Sequence, residues 1–385
     1  MASALLELAH IVRLAGADYR ARHRGHLSRD QLRALWAIEH CRTPTLGGHL
    51  YVCDQCGRRE PRYHSCRNRH CPKCQGLASA RWCEKRRAEL LPVGYFHLVF
   101  TLPEELHPFL LWNPVRLYDV LFHSAWETLC TLGANPAYLG ARCGCLALLH
   151  TWSQTLAYHP HLHCIVPGGG LSFENDSWIS ARRNFLAPVS ALSRVFRAKF
   201  LSHLKHAYRA RQLRLAPSHP SHGNPRAFQA LVDALFQKRW MVYCKAPFAA
   251  PQRVLAYLAR YTHRVAITNT RLLHADARRV TFSYRDYRHR ARHSVMTLST
   301  DEFLRRFLLH VLPSRFVRIR SYGFLSNRSR HRTLARCRDL MRRRQRAPTP
   351  QSAAVAHPRC PCGRGYLRPV ALFASCLPPA SRAPP

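Results

Sequence analysis

Apolar positions switch between helical and strand-like spacing along this chain, and the changes of period mark its elements. Residues 1–41 keep the helical period, and Ser28 followed by Gln31 forms a capping box ahead of Leu32, Leu35 and Trp36. Residues 41–76 lose that period and are rich in Cys, Gly and His. Residues 79–91 read as a helix, and the aromatic and β-branched run from Tyr95 to Leu102 reads as a strand that Pro103 stops. A helix is expected over 144–158, leading into a short strand over 161–166 that Pro167 and three glycines close. A basic helix is expected over 190–213, a Pro-, Ser- and His-rich loop over 216–225, and a helix over 227–237, with Pro251 opening another. Val280 to Tyr284 alternates like a strand, and 301–312 and 330–345 read as helices, the second bearing Arg342, Arg343 and Arg344. Beyond Ala347 the chain is rich in Pro, Ala and Ser, and residues 347–385 are expected to form an unfolded tail. No tandem repeat interrupts this order.

Charge narrows the partner. Lys and Arg number 60 against 20 Asp and Glu, a formal charge of +40, while apolar residues make up 47% of the 385 positions. The apolar share excludes a wholly disordered chain. The charge favours a phosphate-rich partner, because neutralising phosphates releases counterions and drives binding without sequence preference. No stretch approaches the roughly 20 apolar residues that a membrane span needs. The sequence therefore reads as soluble and intracellular, without a signal peptide and without a membrane partner. Sixteen cysteines in such a chain are expected to be thiols and metal ligands rather than a disulfide framework.

The cysteine spacing carries the first chemical signal. Cys53 and Cys56 form one C-x-x-C pair, and Cys71 and Cys74 form another. Each pair can turn two thiolates towards one tetrahedral ion, so together they predict a structural zinc site of Cys53, Cys56, Cys71 and Cys74. Cys41, His49, Cys66 and His70 could hold a second zinc. Arg58, Arg59, Arg62, Arg67, Arg69 and Lys73 make this region basic enough to touch nucleic acid. Cys360 and Cys362, with one residue between them, offer poor zinc geometry and no obvious partner pair, and carry no metal assignment.

Two further constellations follow. In a strand through 161–166, His161 and His163 share one face while Leu162, Cys164 and Val166 pack the other. Two imidazoles on one face make half of a divalent-metal site, and burying both is costly unless a ligand or partner satisfies them. In a helix opening at Pro251, with Leu255 at zero and about 100° per residue, Leu258, Ala259 and Thr262 fall within roughly 60° of Leu255. Tyr257 and Tyr261 fall at about 200° and 240°, beside Arg253, Arg260 and Arg264 at about 140° to 180°. Two hydroxyls one turn apart beside phosphate-binding guanidiniums suit attack on a phosphodiester.

In this order the motifs resemble those of the HUH-type rolling-circle transposases of insertion-sequence family 91. The likeness runs from about Leu32 to Arg328 and rests on Cys41 to His49, the Cys53 and Cys56 pair, Ser65 to Gln75, Phe96 to Pro103, His159 to His163, and Tyr257 to Tyr261. The resemblance implies an α+β fold: an N-terminal helical, zinc-ribbon-like module, then an HUH endonuclease domain with an antiparallel sheet flanked by helices. The expected division is a DNA-binding module over 1–92, the nuclease over 93–300, a basic helical extension over 301–346 and the tail over 347–385. It further implies that His161 and His163 hold Mg2+ or Mn2+, with an oxygen donor, Gln154, as the third ligand, and that Tyr257 and Tyr261 are paired nucleophiles. One tyrosine would form a 5′-phosphotyrosine with single-stranded DNA at an element end, and the other would accept a second strand end. No P-loop is present, so a host helicase or naturally exposed single strands would supply the substrate. A plasmid replication initiator or relaxase of the same chemistry, and a non-catalytic zinc-ribbon nucleic-acid-binding protein, are the alternatives. The expected location is the cytoplasm, at the nucleoid.

Overall fold

The structure is a computed structural model, and it describes residues 6–182, 186–248, 265–289, 291–342 and 358–373. The N-terminal helices form where the sequence places them. α1 (Leu8–Arg22) buries Leu8, Ile11, Val12, Ala15 and Tyr19, a stripe at helical spacing. α2 (Arg29–Glu39) starts at the Ser28 capping box: the Gln31 N–H donates to Ser28 Oγ at 3.2 Å and the Ser28 N–H donates to Gln31 Oε1 at 2.9 Å. The hairpin β1 (Gly48–Cys53) and β2 (Arg59–Tyr63) follows. α3 runs over Pro72–Arg87, earlier than the expected 79–91, with Pro72 at the first helical position, where no N–H is needed.

The centre is an antiparallel sheet. β3 (Tyr95–Thr101) leads through α4 (His107–Trp112) and α5 (Pro114–Ala134) to β4 (Gly144–Trp152) and β5 (Tyr158–Pro167). The small pair β6 (Gly169–Leu171) and β7 (Trp178–Ser180) precedes α6 (Val189–Arg209), α7 (Pro225–Gln237) and β8 (Val242–Phe248). β9 (Leu272–Ala275), β10 (Arg279–Asp286) and β11 (Arg292–Ser299) make a separate three-stranded sheet, followed by α8 (Thr300–Leu308), β12 (Ile319–Gly323) and α9 (Arg330–Arg342). The central sheet has the order β12-β4-β5-β3-β8. The α+β class with an antiparallel sheet flanked by helices is what the family resemblance implies.

Alternation sorts the sheet into two faces. Phe96, Leu98 and Phe100 of β3, Cys145, Ala147 and Leu149 of β4, and Leu162, Cys164 and Val166 of β5 join one apolar core with α5 and α6. Leu121, Phe122 and Leu129 of α5 and Phe196, Phe200 and Leu204 of α6 fill it from the helix side. Each such side chain contributes roughly 1.5–3 kcal/mol when fully buried. A second core ties Leu8, Ile11 and Leu35 to Trp152, Ile267, Phe282, Phe303 and Phe307, so the first two helices pack against β10 and α8.

Two expectations are corrected. Residues 144–158 form β4, a turn and the start of β5, not a helix. β4 is a near-central strand buried on both faces, so its apolar run shows no period-2 alternation and mimics a buried helix. The expected tail is structured over 358–373: β13 (Leu367–Phe373) pairs antiparallel with β1, from Cys53 opposite Leu367 to Gly48 opposite Phe373. Local composition could not reveal this, because the pairing partner lies more than three hundred residues away. The expected helix at Pro251 lies outside the described residues. Among the described residues, no helix is long and apolar enough to cross a membrane.

Candidate active site and metal centres

β5 turns His161 and His163 to the face opposite the main core, as alternation predicts, and the register supplies a third imidazole. His150 of β4 lies directly across from His161, and Leu148 lies across from His163. The possible ligand atoms of His150, His161 and His163 lie within 4.8 Å of one another. His150 and His163 are buried, and His161 is half-buried. The His150 ring is stacked on Trp152 with centroids 4.6 Å apart, which fixes its plane.

Neighbours set the nitrogens. His161 Nδ1 lies 2.7 Å from the His159 carbonyl, a contact that requires Nδ1 to carry the proton and leaves the lone pair on Nε2. His163 Nδ1 lies 2.9 Å from Nε2 of His97, a buried residue on β3. Burial, reinforced by the charge of Lys245, pushes the His97 pKa down to about 4, so its ring is neutral at physiological pH. Gln154 sits in the turn between β4 and β5, where its main-chain carbonyl accepts from the Arg271 guanidinium. His150 stands four positions before it.

The sulfurs form two four-thiol groups, and their membership corrects the expected one. Cys41, Cys66, Cys71 and Cys74 come together, as do Cys53, Cys56, Cys360 and Cys362. The two C-x-x-C pairs therefore belong to different groups. Cys71 and Cys74 flank the first turn of α3 and meet Cys41, just beyond α2, and Cys66 from the preceding loop. Cys53 and Cys56 bound the turn after β1, on the side where β13 arrives. Neither expected histidine joins. His49 faces His64 edge-on at 5.0 Å. His70 accepts from the Leu312 N–H at 3.2 Å, with its pKa pushed down to about 3 by burial.

Sulfur spacing tests the fit to zinc. Four sulfurs about 2.3 Å from a tetrahedral ion stand about 3.8 Å apart. In the first group Cys41 and Cys66 each lie 3.6 Å from Cys74. In the second, Cys53 lies 3.9 Å from Cys362 and Cys56 lies 3.8 Å from Cys360. Both donor sets fit. Within the first group, hydrogen bonding with Cys66 and Cys71 draws the Cys41 pKa down to about 7, while the neighbouring thiols raise that of Cys66. Such crowding favours a cation that replaces the protons.

Of the basic residues in this module, Arg69 donates to the Phe316 carbonyl and Lys73 pairs with Glu7. Arg58, Arg59 and Arg67 are exposed, available to a polyanion. Tyr257, Tyr261, Arg253, Arg260 and Arg264 lie outside the described residues. Sequence reasoning missed His150 and His97, and set Cys360 and Cys362 aside. Reading 144–152 as a strand would have placed His150 on the face of Leu146 and Leu148, but nothing local marked the C-terminal thiols.

Comparison with known proteins gives the family. Residues 144–332 match the family model described as "Putative transposase", and residues 11–102 match "Transposase zinc-binding domain". The chain is 50% identical over 347 residues to "Putative transposase y4qJ" of Sinorhizobium fredii, spanning 90% of this chain and 87% of that relative. It is 29% identical over 314 residues to the "Transposase for insertion sequence element IS801" of Pseudomonas savastanoi pv. phaseolicola, spanning 81% of this chain and 74% of that one. No solved structure matches the chain. The three histidines fall within the first matched region and Cys41 to Cys74 within the second, while Cys360 and Cys362 fall outside both.

Proposed function

The chain belongs to the transposase family of insertion sequence 91, and on that premise we propose that it nicks and rejoins single-stranded DNA at its element's ends through a covalent 5′-phosphotyrosine. The observation that carries this reading is the trio of His150, His161 and His163 on one face of the central sheet.

Each imidazole has a defined task. His161 donates through Nδ1 to the His159 carbonyl, so Nε2 is its ligand atom. His163 would bind through Nε2 while its Nδ1–H donates to His97 Nε2, which makes His97 a positioning residue. His150 would add a third nitrogen donor beside them. A divalent ion bound there would polarise the scissile phosphate as a Lewis acid and orient it. Three nitrogen donors suit manganese better than magnesium, which prefers oxygen.

Tyr257 and Tyr261 act as the nucleophiles. The phenolic oxygen of one forms a bond to phosphorus, the bond to the 3′-oxygen breaks, and that oxygen leaves as a protonated hydroxyl. Attack of a free 3′-hydroxyl on the phosphotyrosine reverses the exchange, so rejoining needs no external energy. Arg253, Arg260 and Arg264 would neutralise the phosphates.

The remaining parts serve DNA binding. Cys41, Cys66, Cys71 and Cys74 hold a structural zinc within the N-terminal module, and the charge of +40 supplies affinity for the strand. The module over 1–92 grips DNA and 93–300 carries the chemistry, while 301–346 adds basic surface and also supplies β12, the edge strand of the central sheet. A host helicase or exposed single strands supply the substrate.

The test is incubation of purified protein with single-stranded DNA from both flanks of its gene, plus Mn2+ or Mg2+. An SDS-resistant protein–DNA band is expected that requires metal and disappears in the Tyr257→Phe/Tyr261→Phe variant. No band from folded, zinc-loaded, DNA-binding protein would overturn the nuclease reading.

A further inference from the structure

The second thiol group joins residues from the two ends of the chain. We propose that Cys53, Cys56, Cys360 and Cys362 bind a second structural zinc, which staples the C-terminal segment to the N-terminal hairpin.

The single-residue spacing of Cys360 and Cys362 argued against such a site, and the local geometry answers it. The two knuckles are near copies. The Cys53 N–H donates to the carbonyl five residues on, at Arg58, and the Cys360 N–H donates to the carbonyl five residues on, at Gly365, at 3.0 and 2.9 Å. Each second cysteine is followed by a glycine in the left-handed region, Gly57 at φ 67° and Gly363 at φ 76°. Each of those glycines donates its N–H back to the first cysteine's carbonyl, Gly57 to Cys53 at 3.2 Å and Gly363 to Cys360 at 3.0 Å. The C-terminal turn closes over the same span and brings its second cysteine and glycine one residue earlier.

The Gln55 N–H points at Cys53 Sγ, 3.5 Å away, a donor that stabilises thiolate charge. The cross-knuckle distances, 3.9 Å and 3.8 Å, match the tetrahedral edge of about 3.8 Å. All-sulfur, four-coordinate geometry selects zinc among the common divalent ions. Loading displaces the four thiol protons and adds a closed site.

The surroundings show what the ion would hold. Cys53 and Cys360 share a small buried cluster with Leu367. The Tyr366 N–H donates to Asp54 Oδ1 at 2.9 Å and the Asp54 N–H donates to the Tyr366 carbonyl at 3.2 Å. β13 then runs along β1 from this point. A short strand docked on one hairpin edge is a weak attachment by itself. The ion makes it a permanent part of the DNA-binding module, on a segment outside both matched regions.

Metal content tests this without any DNA reaction, so its outcome is independent of the nuclease reading. Full-length protein should carry two zinc ions per chain by elemental analysis. The Cys360→Ser/Cys362→Ser variant should carry one and keep its circular dichroism. A second arm uses the unaltered protein. Cys56 and Cys362 are exposed, as is Cys130. A thiol-alkylating reagent should label Cys130 at once, and Cys56 and Cys362 only after chelation. One zinc per wild-type chain, two in the double-serine variant, iron in place of zinc, or immediate labelling of Cys362 would each overturn the proposal.

Discussion

The two faces of the central sheet are built from alternate residues of the same strands, yet they do different work. On β5, Leu162, Cys164 and Val166 enter the core under α5 and α6, while His161 and His163 point the other way towards His150. The first face needs only volume and apolarity. The second, for the proposed function, needs particular nitrogens in particular protonation states. A one-residue slip of β5 would exchange the faces and destroy both, so the register serves stability and chemistry together.

This comparison can be sharpened by substitutions one residue apart. His163→Ala should lower cleavage by about 10^3-fold, since a metal's charge stabilisation is worth several kcal/mol, with a much smaller effect on unfolding. A quantified covalent adduct and a urea melt would separate the two effects. Leu162→Ala should do the reverse. It leaves the imidazoles in place but empties a fully buried site, costing about 2–5 kcal/mol. Equal losses of activity and stability in both variants would break the comparison.

Acid should weaken the molecule through histidines outside the trio. His70 and His310 are buried, and burial lowers their pKa values to about 3 and about 4. The unfolded chain binds their protons below about pH 6.5, whereas the native state refuses them until pH 4 or lower. Stability from these groups is therefore complete above about pH 6.5 and lost as pH falls towards 4, by roughly 3 kcal/mol per histidine at most. Thermal melts across that window in the His310→Gln variant should show a shallower slope than wild type. The smallest effect belongs to His97→Ala, whose ring bonds His163 and meets Tyr243 edge-on. Metal affinity should fall about 10- to 100-fold with the melting temperature nearly kept, and excess Mn2+ should restore cleavage.

How much of this was legible depended on the range of the interaction. The Ser28 cap, the stripe on α1 and the alternation of β5 are set by neighbours within a few residues, and the sequence displays them. β4 was misread because burial on both faces erases the period that distinguishes a strand. His150 was lost with it. Cys53, Cys56, Cys71 and Cys74 show as metal ligands by their spacing, but Cys360 and Cys362 do not, and the grouping is illegible because only packing chooses which knuckles meet. The tyrosine helix was read from its wheel alone.

By itself, then, the sequence determined which chemistries are present: thiolates in knuckles, imidazoles on one strand face, paired tyrosines among arginines, and a strongly basic surface. Those follow from residue type and local period. Tertiary structure alone decided which side chains meet. It set His150 opposite His161, put His97 behind His163, separated the two C-x-x-C pairs and returned Cys360 and Cys362 to the hairpin of Cys53. The physical reason is that strand register and long-range closure are fixed by the whole core, and no short window of sequence contains that information.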